Sequence, residues 1–403
     1  MNTALTRSRL TGTLCLVLIA GGCASVPERN PVPPSLADAA EVPGMPGIRY
    51  WADDAPPYAK AWLERSQEDL LSRYPASFGN PHNYLAISGG GANGAFGAGL
   101  LNGWTDSGTR PEFTVVTGIS TGALIAPFAF LGPAYDHVLK RVYTEFSTED
   151  LLESRGLLQA LTGEAATDSA PLRARIAEFV DEEVMDAIAD EYQRGRSLLI
   201  TTTNLDAGRS VTWLIGRIAA SGSPNALELI RDVMLASASI PAALPPVVVE
   251  VEAGGQTYDE LHVDGNTSSV VNLYPLALDW EAVLQRLEVD EAPNLYIIRN
   301  GHIDITHESV DRQTIAIAGR SIQTLMNYLA RGDLYELYLL TQRDGVRYHL
   351  ANIPAEFTEA PTEPFDRKYM NALFELGYEL AKGGYPWQRV PPNYHESEKA
   401  RAE

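Results

Sequence analysis

A serine between two glycines has the spacing of a hydrolase nucleophile. An apolar run from Phe113 to Val116 leads into Gly118-Ile119-Ser120-Thr121-Gly122, and residues compatible with a helix follow. A strand that turns into a helix through Gly-x-Ser-x-Gly holds the serine hydroxyl exposed on a strained turn. Gly118 and Gly122 leave room for that turn, because a side chain at either position would crowd it. The pattern predicts a nucleophilic Ser120, although such small-residue clusters also occur in ordinary turns.

A glycine-rich loop precedes this serine. Residues 83–88 are predicted to form a short strand, and a small-residue helix is predicted over 95–104. Between them the spacing fits the dinucleotide fingerprint G-x-G-x-x-G, but that motif needs an acidic residue at the end of the second strand, where Gly118 and Ser120 stand instead. Backbone N–H groups at a helix start suit a negative oxygen, which in acyl transfer is the tetrahedral oxyanion. We therefore predict an oxyanion loop built from Gly89, Gly90, Gly91 and Gly94.

Four ordered motifs resemble those of the patatin-like phospholipases. They are Gly89–Gly94, Gly118–Gly122, the block from Ala236-Ser237 to Pro245-Pro246-Val247, and Asp264-Gly265. The resemblance covers about residues 83–275. It implies a three-layer α/β/α fold with a mostly parallel central sheet, and a lipid acyl hydrolase that uses a Ser120–Asp264 dyad and an acyl-enzyme, with no cofactor. Two residues depart from the family pattern: Ser88 stands where plant patatins have aspartate, and Asn93 where many members have arginine or lysine.

Asp264 is the base that this resemblance implies. A serine hydroxyl is a poor nucleophile until a base takes its proton. An ordinary aspartate, with a pKa of about 3.9, is a weak base at neutral pH. Burial beside Val263 or against the sheet would raise that pKa and improve proton acceptance. Asp264-Gly265-Asn266 also has the composition of an ordinary turn, so the prediction depends on the other three motifs.

Two alternatives use the same residues differently. An α/β-hydrolase triad has the order serine, acid, histidine, which Ser120 and Asp264 with either His302 or His307 would satisfy. The second alternative is a non-catalytic envelope lipoprotein with a hydrolase fold. A protein with only a structural role does not need an intact nucleophile, base and oxyanion loop. Metal chemistry is disfavoured because the histidines are scattered and no His-Glu-x-x-His or paired-cysteine motif occurs.

The amino terminus has the pattern of an export signal. Arg7 and Arg9 precede the apolar run Leu14 to Ala20, which is too short to span a bilayer, and small residues follow. The ending Ala-Gly-Gly-Cys at Cys23 resembles the lipobox of bacterial lipoproteins. This resemblance implies a signal peptide over 1–22 and a lipid on Cys23 that anchors the protein to the cell envelope, with Ala24 favouring the outer membrane.

The rest of the chain divides into a tether, a body and a tail. The many prolines of residues 23–57 predict an extended tether, the hydrolase domain is predicted over 58–385, and residues 386–403 form a charged tail. The net charge of −21 disfavours nucleic acid as a partner and a broad electrostatic contact with anionic lipid. Membrane attachment must then come from the anchor and from local apolar surface, and the expected substrate is a lipid or another acyl ester.

Local patterns predict the elements that position the motifs. Alternating helices and β-branched strands favour a mostly parallel sheet. A hairpin across Gly254-Gly255 would deliver Asp264 at a strand end. The predicted helices cover 59–71, 172–188, 227–238, 315–340 and 370–380, and the predicted strands cover 197–203, 247–251, 258–263, 295–298 and 346–351.

Overall fold

The computed structural model describes residues 28–154, 164–304, 307 and 309–394. In this part of the chain the strands are β1 (Arg49–Trp51), β2 (Asn83–Ile87), β3 (Val115–Ile119), β4 (Glu153–Ser154), β5 (Thr167–Asp168), β6 (Ser197–Asn204), β7 (Arg209–Leu214), β8 (Val247–Ala253), β9 (Gln256–Asp264), β10 (Asn294–Arg299) and β11 (Arg347–Asn352). The helices are α1 (Ala59–Leu63), α2 (Gln67–Arg73), α3 (Gly94–Asp106), α4 (Thr121–Leu131), α5 (Asp136–Thr144), α6 (Thr148–Leu151), α7 (Ala170–Phe179), α8 (Glu182–Gln193), α9 (Ile215–Ala219), α10 (Ala226–Ala238), α11 (Trp280–Arg286), α12 (Thr314–Arg343) and α13 (Arg367–Lys382).

One large sheet organises the molecule. Its strand order is β1-β7-β6-β3-β2-β10-β11, and the hairpin β8–β9 joins it through β6. Strands β6, β3, β2, β10 and β11 run parallel, and β7 and β9 pair with β6 in the antiparallel sense. The carboxyl ends of the parallel strands therefore meet at one edge, where loops of an α/β sheet commonly form a site.

Helices cover both faces of this sheet. Side chains of a strand alternate between faces, and in β2 Leu85 and Ile87 belong to one buried cluster while Tyr84 and Ala86 belong to the other. The first cluster includes α3, α4, α10 and α13, and the second includes the carboxyl-terminal half of α12. The three-layer α/β/α fold with a mostly parallel central sheet is thus confirmed. No helix in the described residues is both long enough and apolar enough to cross a membrane.

Small residues allow α3 and α13 to pack in close contact. A Cβ atom on Gly99 would lie 2.0 Å from Phe374 O, and one on Gly103 would lie 2.1 Å from Tyr378 O. In the other direction, a Cβ on Gly377 would lie 2.4 Å from Phe96 O. Only glycine permits this approach of the two backbones. Since α3 begins at Gly94, this packing fixes the helix that follows the glycine-rich loop.

Residues 28–57 differ from the extended tether that their prolines predict. Strand β1 pairs with β7, and Met45 and Ile48 lie in the core. Arg49 forms a buried ion pair with Glu260, and Arg29 bonds to Asp206 and Asp259. Residues 28–57 pack on the body because the arginines of this segment form ion pairs with acidic residues far along the chain. Cys23, the signal peptide and residues 23–27 of the predicted tether lie outside the described residues.

Three other predicted elements differ from the structure. The helix predicted over 59–71 is two helices, α1 and α2, because Ser66 caps a new helix by accepting a 3.1 Å hydrogen bond from Asp69 N. The helix predicted over 172–188 is two helices, α7 and α8, which separate at Val180; Asp181 caps α8 by accepting a 3.0 Å hydrogen bond from Val184 N. Part of the predicted tail, residues 386–394, packs on the body: Gln388 bridges Leu350, and the Trp387 ring lies 4.8 Å from that of Trp104. Residues 395–403 lie outside the described residues. The hairpin β8–β9 and edge strand β11 agree with prediction.

Candidate active site

The turn at Ser120 has the strained geometry of a nucleophile elbow. Ser120 lies between β3 and α4 with φ 55° and ψ −123°, a conformation that a residue with a side chain rarely adopts. A Cβ on Gly118 would lie 2.3 Å from Gly122 O, and one on Gly122 would lie 2.2 Å from Ile87 O. The two glycines are therefore required by close backbone approach, as the motif predicted.

A second serine holds the elbow in place. Ser120 N donates a 3.0 Å hydrogen bond to Ser237 Oγ, and that hydroxyl donates to Thr201 O at 2.7 Å. Ser237 is fully buried near the end of α10. The Ala236-Ser237 block thus links the elbow to strand β6.

Strand β6 brings Asp264 beside Ser120. Along β6, Thr201 pairs with Ile119 at the end of β3, and the next residue, Thr202, pairs with Asp264 at the end of β9. Ser120 follows Ile119 directly, so both side chains lie at one place. Ser120 Oγ donates to Asp264 Oδ2 at 2.7 Å.

The carboxyl group of Asp264 is in a low-dielectric environment. It is buried, and its other oxygen accepts a 2.8 Å hydrogen bond from Asn266 N. Burial raises the pKa of Asp264 to about 7, and the hydrogen bonds from Asn266 and Ser120 only partly oppose this effect. A carboxylate with this pKa can accept a proton from serine at neutral pH.

The described histidines do not bond to this pair. His262 is two residues from Asp264, but its ring nitrogens contact Thr202 Oγ1 at 2.8 Å and Glu260 Oε2 at 3.0 Å. His302 is half-buried and His307 is exposed, and neither hydrogen-bonds to Ser120 or Asp264. The geometry thus favours a dyad over the predicted triad alternative.

The glycine-rich loop lies between β2 and α3, next to the elbow. Gly89 N donates to Val270 O at 3.2 Å, and Gly94 N donates back to Ala92 O and Gly91 O. These two amides are therefore engaged within the protein. Gly91, with φ +56°, lines the same cavity as Ser120. Of the four glycines predicted for the loop, Gly90 and Gly91 remain the candidates that can donate to an oxyanion.

Polar side chains at the end of β10 hold this loop. Asn300 Oδ1 accepts from Gly97 N at 3.1 Å, and Asn300 Nδ2 donates to Ser88 O at 2.9 Å. Arg299 Nη1 donates to Gly89 O at 3.0 Å. A Cβ on Gly90 would lie only 2.1 Å from Asn300 O, so this position must be glycine. Asn93 points elsewhere, since its Oδ1 accepts from Tyr369 OH at 2.6 Å.

An apolar cavity opens beside Ser120. Its volume is about 290 Å³. Most of its lining is hydrocarbon, including Leu124, Phe128, Leu172, Ile176, Met234 and Leu244. A larger cavity of about 470 Å³, which contains Thr114 and Ser197, lies at the amino-terminal ends of β3 and β6 and does not include Ser120 or Asp264. The smaller cavity therefore belongs to the candidate site.

Comparison with known proteins identifies the domain. A family model described as patatin-like phospholipase matches residues 85–277. This part of the chain is a patatin-like phospholipase domain. No curated protein matched the chain.

Two solved structures are similar to the chain. VipD from Legionella pneumophila is 14% identical with a TM-score of 0.38, over 75% of this chain and 66% of VipD. Human GIVD cytosolic phospholipase A2 is 9% identical with a TM-score of 0.29, over 81% of this chain and 55% of the human protein. The chain thus spans just under two thirds of the one protein and about half of the other.

Within the patatin-like domain, the structure brings the predicted motifs together. Gly265 also requires its small size, because a Cβ there would lie 2.5 Å from Thr201 O. Roles for Ser237, Arg299 and Asn300 were not predicted from the sequence. Asn300 comes shortly after the predicted strand that ends at Ile298. A polar residue just beyond the carboxyl end of a parallel strand often belongs to a site, so this position could have indicated a role for Asn300.

Proposed function

We propose that the protein is a lipid acyl hydrolase in which Ser120 and Asp264 act as a catalytic dyad. The observation that carries this proposal is the 2.7 Å hydrogen bond from Ser120 Oγ to a buried carboxylate with a pKa of about 7. The patatin-like phospholipase domain over residues 85–277 supports lipid as the substrate class.

The reaction proceeds in two acyl transfers. Ser120 Oγ attacks the ester carbonyl carbon while its proton passes to Asp264 Oδ2, and the amides of Gly90 and Gly91 stabilise the oxyanion. The ester C–O bond then breaks, and the leaving alcohol takes the proton from Asp264. Water next attacks the acyl-enzyme and gives its proton to Asp264. Departure of Ser120, reprotonated by Asp264, releases the carboxylic acid.

The apolar cavity supports an acyl chain as the group that is transferred. It opens at Ser120, and residues of α4, α7 and α10 line it with hydrocarbon. Burial of a chain in this cavity gains about 0.8 kcal/mol per methylene. A polar acyl group would lose hydration there without finding enough partners. The cavity therefore favours an ester of a fatty acid over an ester of a small polar acid.

We further propose attachment to the bacterial envelope through a lipid on Cys23. The basic residues, apolar run and small residues before Cys23 support this proposal. Several acyl chains on one residue hold a protein firmly at a membrane. The outer membrane is the proposed location, on the basis of Ala24.

Hydrolysis by single and double variants tests the dyad. Ser120→Ala, Asp264→Asn and the double variant should each lose about 10⁴-fold or more in kcat on a short-chain p-nitrophenyl ester, because residues that act as one unit are not additive. His302→Ala and His307→Ala are the matched controls and should retain wild-type activity. A dead histidine variant with an unchanged circular dichroism spectrum would assign the site to a triad, and an active Ser120→Ala would refute the nucleophile.

A further inference from the structure

The first half of α12 is exposed, although its sequence is rich in apolar residues. The second half packs on the sheet through Leu334 and Leu337. In residues 314–329, here called the arm, none of the side chains that the structure describes is buried. The arm is about 24 Å long at 1.5 Å per residue. Four of its large apolar side chains are 51% to 70% exposed, namely Ile317, Ile322, Leu325 and Tyr328.

These apolar side chains share one side of the helix. At about 100° per residue they fall within an arc of about 140°. Polar residues lie on the other side, including Arg320, Gln323 and Asn327. A wide apolar stripe of this kind normally faces a protein core. In the arm it faces outward, so it is available to a partner.

The charge of the arm is opposite to that of the whole chain. The arm carries Arg320 and no acidic residue, and Arg331 follows it on the same helix, whereas the net charge of the protein is −21. The Debye length is about 8 Å at physiological salt, so acidic groups farther than this from the arm act only weakly on a surface that the arm touches. A basic amphipathic helix is typical of proteins that lie on anionic membranes.

The chain is held beside the oxyanion loop at residues 299–300, before the arm, and again at Asp333, just after it. Before the arm, Arg299 donates to Gly89 O, and Asn300 N donates to Ser88 Oγ at 2.9 Å. After the arm, Asp333 Oδ2 accepts from Val270 N at 2.6 Å, and Val270 O accepts from Gly89 N. The chain therefore leaves and returns at the sheet edge that carries Ser120.

We propose that the arm binds the surface of an anionic phospholipid membrane, with its apolar side in the interface and with Arg320 and the adjacent Arg331 at the headgroups. This places the active-site edge of the sheet against the bilayer. This proposal rests on the proposed function only in explaining what the membrane contact is for, since a lipid hydrolase must reach a substrate in a membrane. The contact itself is independent of turnover.

Depth-dependent quenching tests the arm in the full chain. Cys15→Ser and Cys23→Ser remove the two cysteines of the sequence, and Leu325→Cys then carries an environment-sensitive dye. Leu71→Cys, at a position 52% exposed on α2, is the matched control. With vesicles of phosphatidylethanolamine and phosphatidylglycerol, the emission of the dye at position 325 should shift to the blue. Brominated acyl chains about 5–10 Å below the headgroups should quench this emission. The dye at position 71 should show neither effect. Adding Arg320→Gln and Arg331→Gln should reduce quenching on these vesicles but not on phosphatidylcholine.

Three outcomes would overturn the proposal. One is the absence of bromolipid quenching at 325, and another is equal quenching at 71. The third is a blue shift that needs no vesicles and grows with protein concentration, which would assign the arm to a second copy of the chain. Ser120→Ala should leave the quenching unchanged, so that a failure of the hydrolase proposal is distinguished from a failure of this one.

Discussion

Two buried carboxylates on strand β9 have opposite electrostatic surroundings. Glu260 and Asp264 are four residues apart, and they project to the same face because side chains alternate along a strand. Burial opposes ionisation of Glu260, but hydrogen bonds from His262 and Arg49 outweigh it and lower its pKa to about 2. Burial raises the pKa of Asp264 to about 7, and no cation opposes it.

This difference separates a structural carboxylate from the carboxylate that we propose is catalytic. Glu260 binds Arg49 with both oxygens and thereby joins β1 and the amino-terminal segment to the sheet. Asp264 bonds to a neutral hydroxyl and a backbone amide, which offset the effect of its burial only in part, so its affinity for a proton stays high. The same strand thus carries a carboxylate that keeps its charge and one that can exchange a proton near neutral pH.

The largest expected effect on stability is at Glu260. Glu260→Gln leaves the buried Arg49 without its counter-ion and should lower the free energy of unfolding by about 3–5 kcal/mol at pH 7. Urea denaturation measures this loss. Glu250→Gln, an exposed position on β8, is the matched control and should change stability by less than about 0.5 kcal/mol. Equal losses in the two variants would remove the proposed role of the Arg49–Glu260 pair.

A smaller effect of opposite sign is expected at Asp264. Its folded pKa lies above its unfolded value, so its contribution to stability is complete below pH 4 and is lost as pH rises towards 7. Asp264→Asn should therefore be about 1–3 kcal/mol more stable than wild type at pH 8, with a gain that disappears near pH 4. Thermal unfolding at both pH values checks this. If Asp264→Asn destabilised the protein at pH 8, this would contradict the claim that the ionised Asp264 is a buried charge without a compensating cation.

The local motifs of the site could be predicted from the sequence. The motifs Gly-x-Ser-x-Gly and Asp-Gly are each recognised within a few residues, and the order of the four motifs indicated which serine and aspartate to consider. The backbone atoms that exclude a Cβ at Gly122 and Gly265, namely Ile87 O and Thr201 O, are known only from the fold. The β8–β9 hairpin followed from its alternation and from Gly254-Gly255, so the strand that delivers Asp264 was also predictable. The direction of its pKa shift followed from burial alone.

Contacts between distant segments could not be predicted in the same way. Nothing local to Arg49 indicates that it meets Glu260, and prolines in residues 28–57 predict an extended chain whether or not it packs. The roles of Ser237 and Asn300 likewise depend on hydrogen bonds across the sheet edge. Only the fold brings these residues together, because each belongs to a different segment of the chain.

The rate of Ser120 modification as a function of pH tests the dyad most directly. A fluorophosphonate probe reports on the nucleophile without requiring the natural substrate. The second-order labelling rate should rise with an apparent pKa of about 7 and reach a plateau above it, since Asp264 must lose its proton to act as a base. Asp264→Asn should label slowly at every pH and without this transition. A wild-type profile that is flat between about pH 5 and 9, or a transition that persists in Asp264→Asn, would contradict the assignment of Asp264 as the base for Ser120.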